Sequence, residues 1–325
     1  MLKNRNVIFT LAVLLLTSCS QLQTRRSEPS SGKSSKSDSA TSKQNESRDD
    51  FSGGEDGTGS PSEPPPILQA QDEKKVAVIL GPGGYKTFAH VGALKELRKN
   101  NIPVHKIVGI EWGSLVAALY AQRGQINEVE WKLYKLEKVG LNNKGFFSNR
   151  VEAKSVGQLA DYFKENLDSK SGLETKVPFF CPSLSLLRGA IEWQERLPLN
   201  QSINYCLPLP PLFKAHKGYV AGMFSYSDIT QRLKTEGYNV IILINVLGDG
   251  SLLVNPSLKE DENLAVLWNE ARRELWRARN SVSDVIEVTT KGIHLSDFES
   301  RKLLVTAGEA AGEKAARRLI EKYGF

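Results

Sequence analysis

Apolar residues divide the chain into three stretches. Residues 7–16 form an apolar run, interrupted by Thr10 alone, behind Lys3 and Arg5. From Ser20 to about Lys74, Ser, Lys, Glu, Gly and Pro dominate, with almost no aliphatic residues until Ile67. From Lys75 onward the apolar positions return with regular spacing. Residues 75–80 (KVAVIL) are a short apolar run halted by Gly81, the pattern of a buried strand. Phe88, Val91, Leu94 and Leu97 then recur at helical spacing until Asn100 and Pro103 end the pattern. Residues 106–110 predict a second strand, and 112–122, rich in Ala and Leu, a second helix.

Further along, 126–139 and 154–167 predict helices, and 177–187 predicts a strand or paired strands. Pro208, Pro210 and Pro211 mark an extended loop. Residues 239–247 (NVIILINVL) predict a strongly apolar strand, 261–279 a helix, 284–288 a last strand and 296–322 a long terminal helix. On that helix Gly308 and Gly312 permit close packing beside a narrow stripe of Leu304, Ala307, Ala311, Ala315 and Leu319. Alternating strands and helices at this spacing argue for a mostly parallel central sheet in a three-layer α/β/α arrangement. About 250 residues, 75–325, suffice for one domain with a single core.

The two leading stretches carry a different message. The 7–16 run is too short to span a bilayer, which takes about 20 residues, and fits a signal-peptide core. It ends in Leu16-Thr17-Ser18-Cys19, which resembles the lipobox of bacterial lipoproteins; the other reading is a plain secretory signal with an incidental cysteine. The lipobox implies a signal peptide over 1–18, an acylated Cys19, and a tether over 19–74. Ser20, rather than Asp, after the cysteine implies the outer membrane, with the domain facing the periplasm. A low-complexity tether of about 50 residues has a span on the order of 40 Å. It cannot bury enough apolar surface to offset its ordering entropy.

Composition adds little. A formal net charge of +6 over 325 residues suits an anionic lipid surface, and scattered lysines explain it equally well. No basic run interleaved with aromatics points to nucleic acid. Cys181 and Cys206 could pair in an oxidising compartment, although two buried free thiols is the reading favoured here. No metal-ligand spacing surrounds them, and no cofactor motif is present.

Four landmarks then occur in order. The first is Gly83, Gly84 and Lys86 followed by Ala89-His90-Val91-Gly92. The second is Gly109-Ile110-Glu111-Trp112-Gly113-Ser114 followed by LVAALYA. The third is LPPLFKAHKGYVAGM over 209–223, and the fourth is Asp297-Phe298 with Ala307-Gly308. Together they resemble the patatin-like phospholipase family, from about Lys75 to the end of the sequence. The resemblance implies a serine on a sharp strand-to-helix turn, an aspartate base, and a glycine loop whose amides stabilise an oxyanion.

Both catalytic positions are changed. Glu111 stands where the family has its serine, and Ala221 where it has its aspartate. Pro82, which has no N–H, replaces the first loop glycine, and Thr87 the last. Gly83, Gly84 and Lys86 remain as a remnant of the oxyanion loop, and Gly109, Trp112 and Gly113 as a remnant of the elbow. Ser114, three residues on, points away from the elbow. Asp249, in Asp249-Gly250-Ser251, is the one substitute acid considered, but it follows the apolar strand that the family motif precedes, and Asp-Gly is a common turn. His90, His105, His216 and His294 read as structural or solvated.

A carboxylate at a helix N-terminus beside a glycine loop is well placed to be stabilised. The expectation is that Glu111 occupies the former oxyanion site, with Lys86 nearby and Trp112 filling part of the acyl groove. A membrane-tethered protein without hydrolytic chemistry follows, binding lipid, an acyl chain or a protein partner of the cell envelope. The alternatives are a divergent lipid acyl hydrolase with a rearranged site and a purely structural envelope protein.

Overall fold

A computed structural model describes residues 73–136, 154–210, 213–248, 262–295 and 297–325. Cys19 and the 1–72 stretch, with its signal and tether readings, lie outside these residues, as does Asp249. Seven strands form one sheet among the described residues: β1 (Val76–Leu80), β2 (Lys106–Gly109), β3 (Phe179–Ser185), β4 (Ala190–Gln194), β5 (Tyr219–Ala221), β6 (Val240–Asn245) and β7 (Asp284–Glu287). The order is β4-β3-β2-β1-β6-β7, with β5 on the free side of β3. β1 pairs in parallel with β2 and β6, β2 with β3, and β6 with β7. The expected mixed α/β class, with a mostly parallel central sheet flanked by helices, is therefore what the chain adopts.

Every residue of β1 and of β6 is buried, so both faces of the sheet are covered. That explains why these strands read as continuous apolar runs rather than alternating ones. Among the described residues, eight α-helices provide the cover: α1 (Phe88–Lys99), α2 (Trp112–Arg123), α3 (Ile126–Tyr134), α4 (Ala160–Asn166), α5 (Leu199–Cys206), α6 (Tyr226–Thr235), α7 (Glu262–Ala278) and α8 (Arg301–Tyr323). α1 lies along α8 at backbone contact. A Cβ on Gly92 would stand 2.0 Å from the Val305 carbonyl oxygen, and one on Gly308 1.9 Å from that of Ala89. Gly312 meets Glu96 and Ala93 in the same way, so the close packing expected at Gly308 and Gly312 is present.

The differences from expectation cluster in the middle. The helix expected over 126–139 ends as α3 at Tyr134, and 137–153 lie outside the described residues. The helix expected over 154–167 is a 3-10 turn, Val156–Leu159, followed by the short α4. Of the strand or paired strands expected over 177–187, a single strand forms, β3, and its antiparallel partner β4 comes later. α5, β5 and α6 were not expected. α8 begins at Arg301, five residues late.

Cys181 and Cys206 form a disulfide, which corrects the favoured reading of two free thiols. The physical reason is the unexpected α5. Its last residue, Cys206, faces β3, and the Cα atoms stand 6.0 Å apart, within the range a disulfide spans. No helix among the described residues is long and apolar enough to cross a membrane.

Candidate functional site

The site lies at the C-terminal ends of β1 and β2, where parallel strands hand over to loops and helices. After β1 the chain runs through Gly81-Pro82-Gly83-Gly84 into a 3-10 turn, Gly84–Thr87, and then α1. After β2 it turns sharply at Glu111 into α2. Glu111 has φ 55° and ψ −126°, a conformation that L-residues rarely adopt. The neighbours of Glu111 explain how the turn closes. A Cβ on Gly109 would lie 2.3 Å from the Ser114 Cα, and one on Gly113 would lie 2.7 Å from the Leu80 and Gly81 carbonyl oxygens. Only glycine lets the elbow approach its own helix and β1 so closely.

Glu111 is buried, at 1% exposure. Its Oε2 accepts hydrogen bonds from the Gly83 amide at 3.1 Å and the Gly84 amide at 3.0 Å. Two adjacent amides converging on one oxygen is the arrangement that stabilises an oxyanion in acyl transfer, and here the chain's own carboxylate takes it. Burial pushes the Glu111 carboxyl up to about 7, against the amides of Trp112, Gly83 and Gly84, which pull it down. The expected placement of Glu111 on the glycine loop thus holds.

Lys86 belongs to the same loop. It is fully buried, and its ammonium donates to Thr290 Oγ1 at 2.9 Å. Thr290 in turn donates to the Val246 carbonyl at 3.1 Å. Lys86 therefore ties the glycine loop to the exit of β6, while Glu111 is held by amides. Of the loop's other amides, that of Tyr85 donates to the Leu295 carbonyl and that of Lys86 to the Gly83 carbonyl.

Trp112 is buried against Tyr85, with ring centroids 5.2 Å apart, and against Phe213 at 6.5 Å. Phe298 lies 5.1 Å from Tyr85 and 5.7 Å from Phe88. These aromatic rings pack beside the elbow and hold the loop against it. The Ser114 hydroxyl donates to the Glu111 carbonyl, so it serves the first turn of α2 rather than facing a substrate. Ala221 is buried in β5 opposite Ser183, and its amide donates to the Pro208 carbonyl.

His90 is fully buried on α1, and burial drives its pKa down to about 3 against the Ile244 carbonyl, which keeps the ring neutral. The His105 Nδ1 accepts from the Val76 amide at 2.9 Å, and the ring of His216 packs on Tyr205. No three His, Cys, Asp or Glu side chains among the described residues converge as a metal site requires.

Sequence reasoning missed Tyr226, at the start of α6. Its buried hydroxyl has no hydrogen-bond partner among the described residues and would lie 3.9 Å from a Cβ on Gly81. Burial raises its pKa well above the usual value, and the charges of Glu111 and Glu274 add to the effect. The only signal for it was an apolar spacing in 226–235 too weak to declare a helix.

No protein-family model matches the chain. An uncharacterized NTE family protein of Mycobacterium tuberculosis is 22% identical over 204 residues, covering 62% of this chain and 56% of that protein. The lysophospholipase NTE1 of Pyricularia oryzae is 36% identical over 275 residues, covering 77% of this chain and 17% of its own length. A patatin-like phospholipase domain-containing protein of Caenorhabditis elegans is 45% identical over 162 residues, covering 45% of this chain and 11% of that protein. The chain thus spans about half the length of the mycobacterial relative and far less of the other two. The crystal structure of VipD from Legionella pneumophila superposes at a TM-score of 0.41, with 11% identity, over 77% of this chain and 67% of that one. In sequence, the chain is similar to NTE family and patatin-like phospholipase domain proteins.

Proposed function

We propose that the chain is a membrane-tethered, patatin-like lipoprotein of the bacterial envelope that binds a lipid, an acyl chain or an envelope protein without hydrolysing an ester. One observation carries this reading: the Glu111 carboxylate accepts from the Gly83 and Gly84 amides. A carboxylate there takes the oxygen position that an ester's developing oxyanion would need. It is also a poor nucleophile, since its acyl product would be an anhydride. The names of the relatives, which include lysophospholipases, favour a lipid as the class of ligand. Acylation at Cys19 and the tether over 19–74 would supply the membrane attachment.

A divergent hydrolase would need a serine free to attack. Ser114 is the serine of the elbow segment, and its hydroxyl is committed to its own helix. The test is hydrolysis of a short-chain ester and of a phospholipid by the full chain, beside Glu111→Ala and the double change Glu111→Ser with Ala221→Asp. The native chain is expected to give no turnover. Turnover that disappears in Glu111→Ala would overturn the proposal.

A further inference from the structure

β3 outruns its parallel neighbour. Phe179 and Phe180 pair with Ile107 and Val108 of β2, but from Cys181 onward the partners of β3 are β4 and then β5. At about 3.3 Å per residue, Ser185 lies roughly 16 Å beyond the level of Phe180. Because β1, β2 and β3 run parallel, this overhang leaves the sheet from the edge that carries Glu111 and the glycine loop.

The turn at its end is apolar and bare. Leu187 is 93% exposed and Leu186 55% exposed, and Arg188, Gly189 and Ala190 are exposed as well. The turn is nevertheless held in place, because the Leu186 amide donates to the Gly218 carbonyl at 2.9 Å. Behind it the rings of Tyr205 and Tyr219 lie 5.3 Å apart, with the Lys217 ammonium 6.0 Å from Tyr205. The Glu192 carboxylate is occupied by Arg188 and Tyr219. Leucines at the point, tyrosines behind them and exposed cations alongside follow the layers of a bilayer surface, from acyl chain to glycerol to phosphate. A convex point also suits a fluid surface that closes around it better than a rigid partner.

The geometry points to the β3–β4 turn as a membrane-docking tip. Leu186 and Leu187 enter the acyl region of an anionic bilayer while Lys217 and Arg188 stay at the phosphates. Docking there would bring the Glu111 edge toward the membrane. The inference rests on the tethered reading only for nearness to a membrane, and the test supplies that nearness separately.

The full chain, carrying Cys19→Ala and an N-terminal histidine tag, is captured on vesicles of phosphatidylcholine and phosphatidylglycerol in equal parts with a nickel-chelating lipid. A polarity-sensitive fluorophore is placed on Leu187→Cys or, as control, on Glu321→Cys. Glu321 lies on the last turns of α8, beside Tyr323, whose hydroxyl donates to the Ser283 carbonyl before β7, at the opposite edge of the sheet. The probe at 187 should shift to the blue and be quenched by brominated lipid, and the probe at 321 should do neither. Adding Leu186→Ser should lower the inserted fraction roughly tenfold. A probe at 187 that stays in water while the chain is held on the vesicle would overturn the inference, and so would equal quenching at 187 and 321. Neither result depends on acylation of Cys19 or on ester hydrolysis, so this proposal and the functional reading can fail independently.

Discussion

The parallel half of the sheet and its antiparallel flap are held by different means. Around β1, β2 and α8, backbone touches backbone: the Gly109, Gly113 and Gly308 positions have no room for one more carbon. In the flap of β3, β4 and β5, side-chain packing and a covalent link add to the backbone ladder. The Phe180 ring lies between the Lys106 ammonium at 5.1 Å and the Arg232 guanidinium at 4.4 Å, and the disulfide joins β3 to α5. The turn glycines Gly189 and Gly218 meet nothing within 4 Å. The lesson is that a turn closed by backbone contact is fixed by its glycines rather than by the side chain at its apex. Steric closure keeps the turn at Glu111 in place whatever side chain it carries.

The comparison is broken most directly by adding one methyl group to each half. Gly109→Ala should cost more than about 4 kcal/mol or abolish folding, because the atoms in the way are backbone. Gly189→Ala, strained by a φ of +62° but free of contacts, should cost about 1 kcal/mol. Thermal unfolding of the two variants reads the difference, and similar losses would refute the distinction. Next in size is the disulfide, which links residues 25 apart. Cys181→Ser with Cys206→Ser should cost about 3 kcal/mol in denaturant unfolding.

The last effect concerns Glu111 and has a definite sign. Its carboxyl titrates near 7 in the fold rather than at the ordinary 4.5, so between those values the native state holds a proton that the unfolded chain has lost. Stability is full below about pH 4.5, falls as pH rises to about 7, and is level above. The drop is at most about 3 kcal/mol. Glu111→Gln should remove this slope, which urea midpoints across the same pH range would show.

The parallel half was largely legible in the sequence because its strands are buried on both faces and its helices carry regular apolar stripes. β1, α1, β2, α2 and β6 fall within a few residues of expectation for that reason. The glycine loop and Glu111 were legible because their spacing is tied to backbone geometry. The flap was not. β4, read as AIEWQ, is half-exposed, and the three residues of β5 are too few for a period. Its paired cysteines declare themselves only once α5 brings Cys206 to β3. The hydrogen bond from Lys86 to Thr290 was not legible for a related reason: the two residues are 204 apart, and no local pattern announces it.

The contact between α1 and α8 has a consequence for time rather than position. The Gly83 and Gly84 amides lie just ahead of α1, the Tyr85 amide is bonded to Leu295, and Tyr85 and Phe88 meet Phe298 edge-on at the approach to α8. The loop that holds Glu111 is therefore tied to the segment leading into α8, and it opens only when those contacts break. Such motions belong to the slow, sub-global end of native-state opening. Any molecule that displaces the Glu111 carboxylate from these amides would have to wait for that event. Occupancy of the site would then be limited by how often the fold breathes, rather than by how fast a ligand arrives.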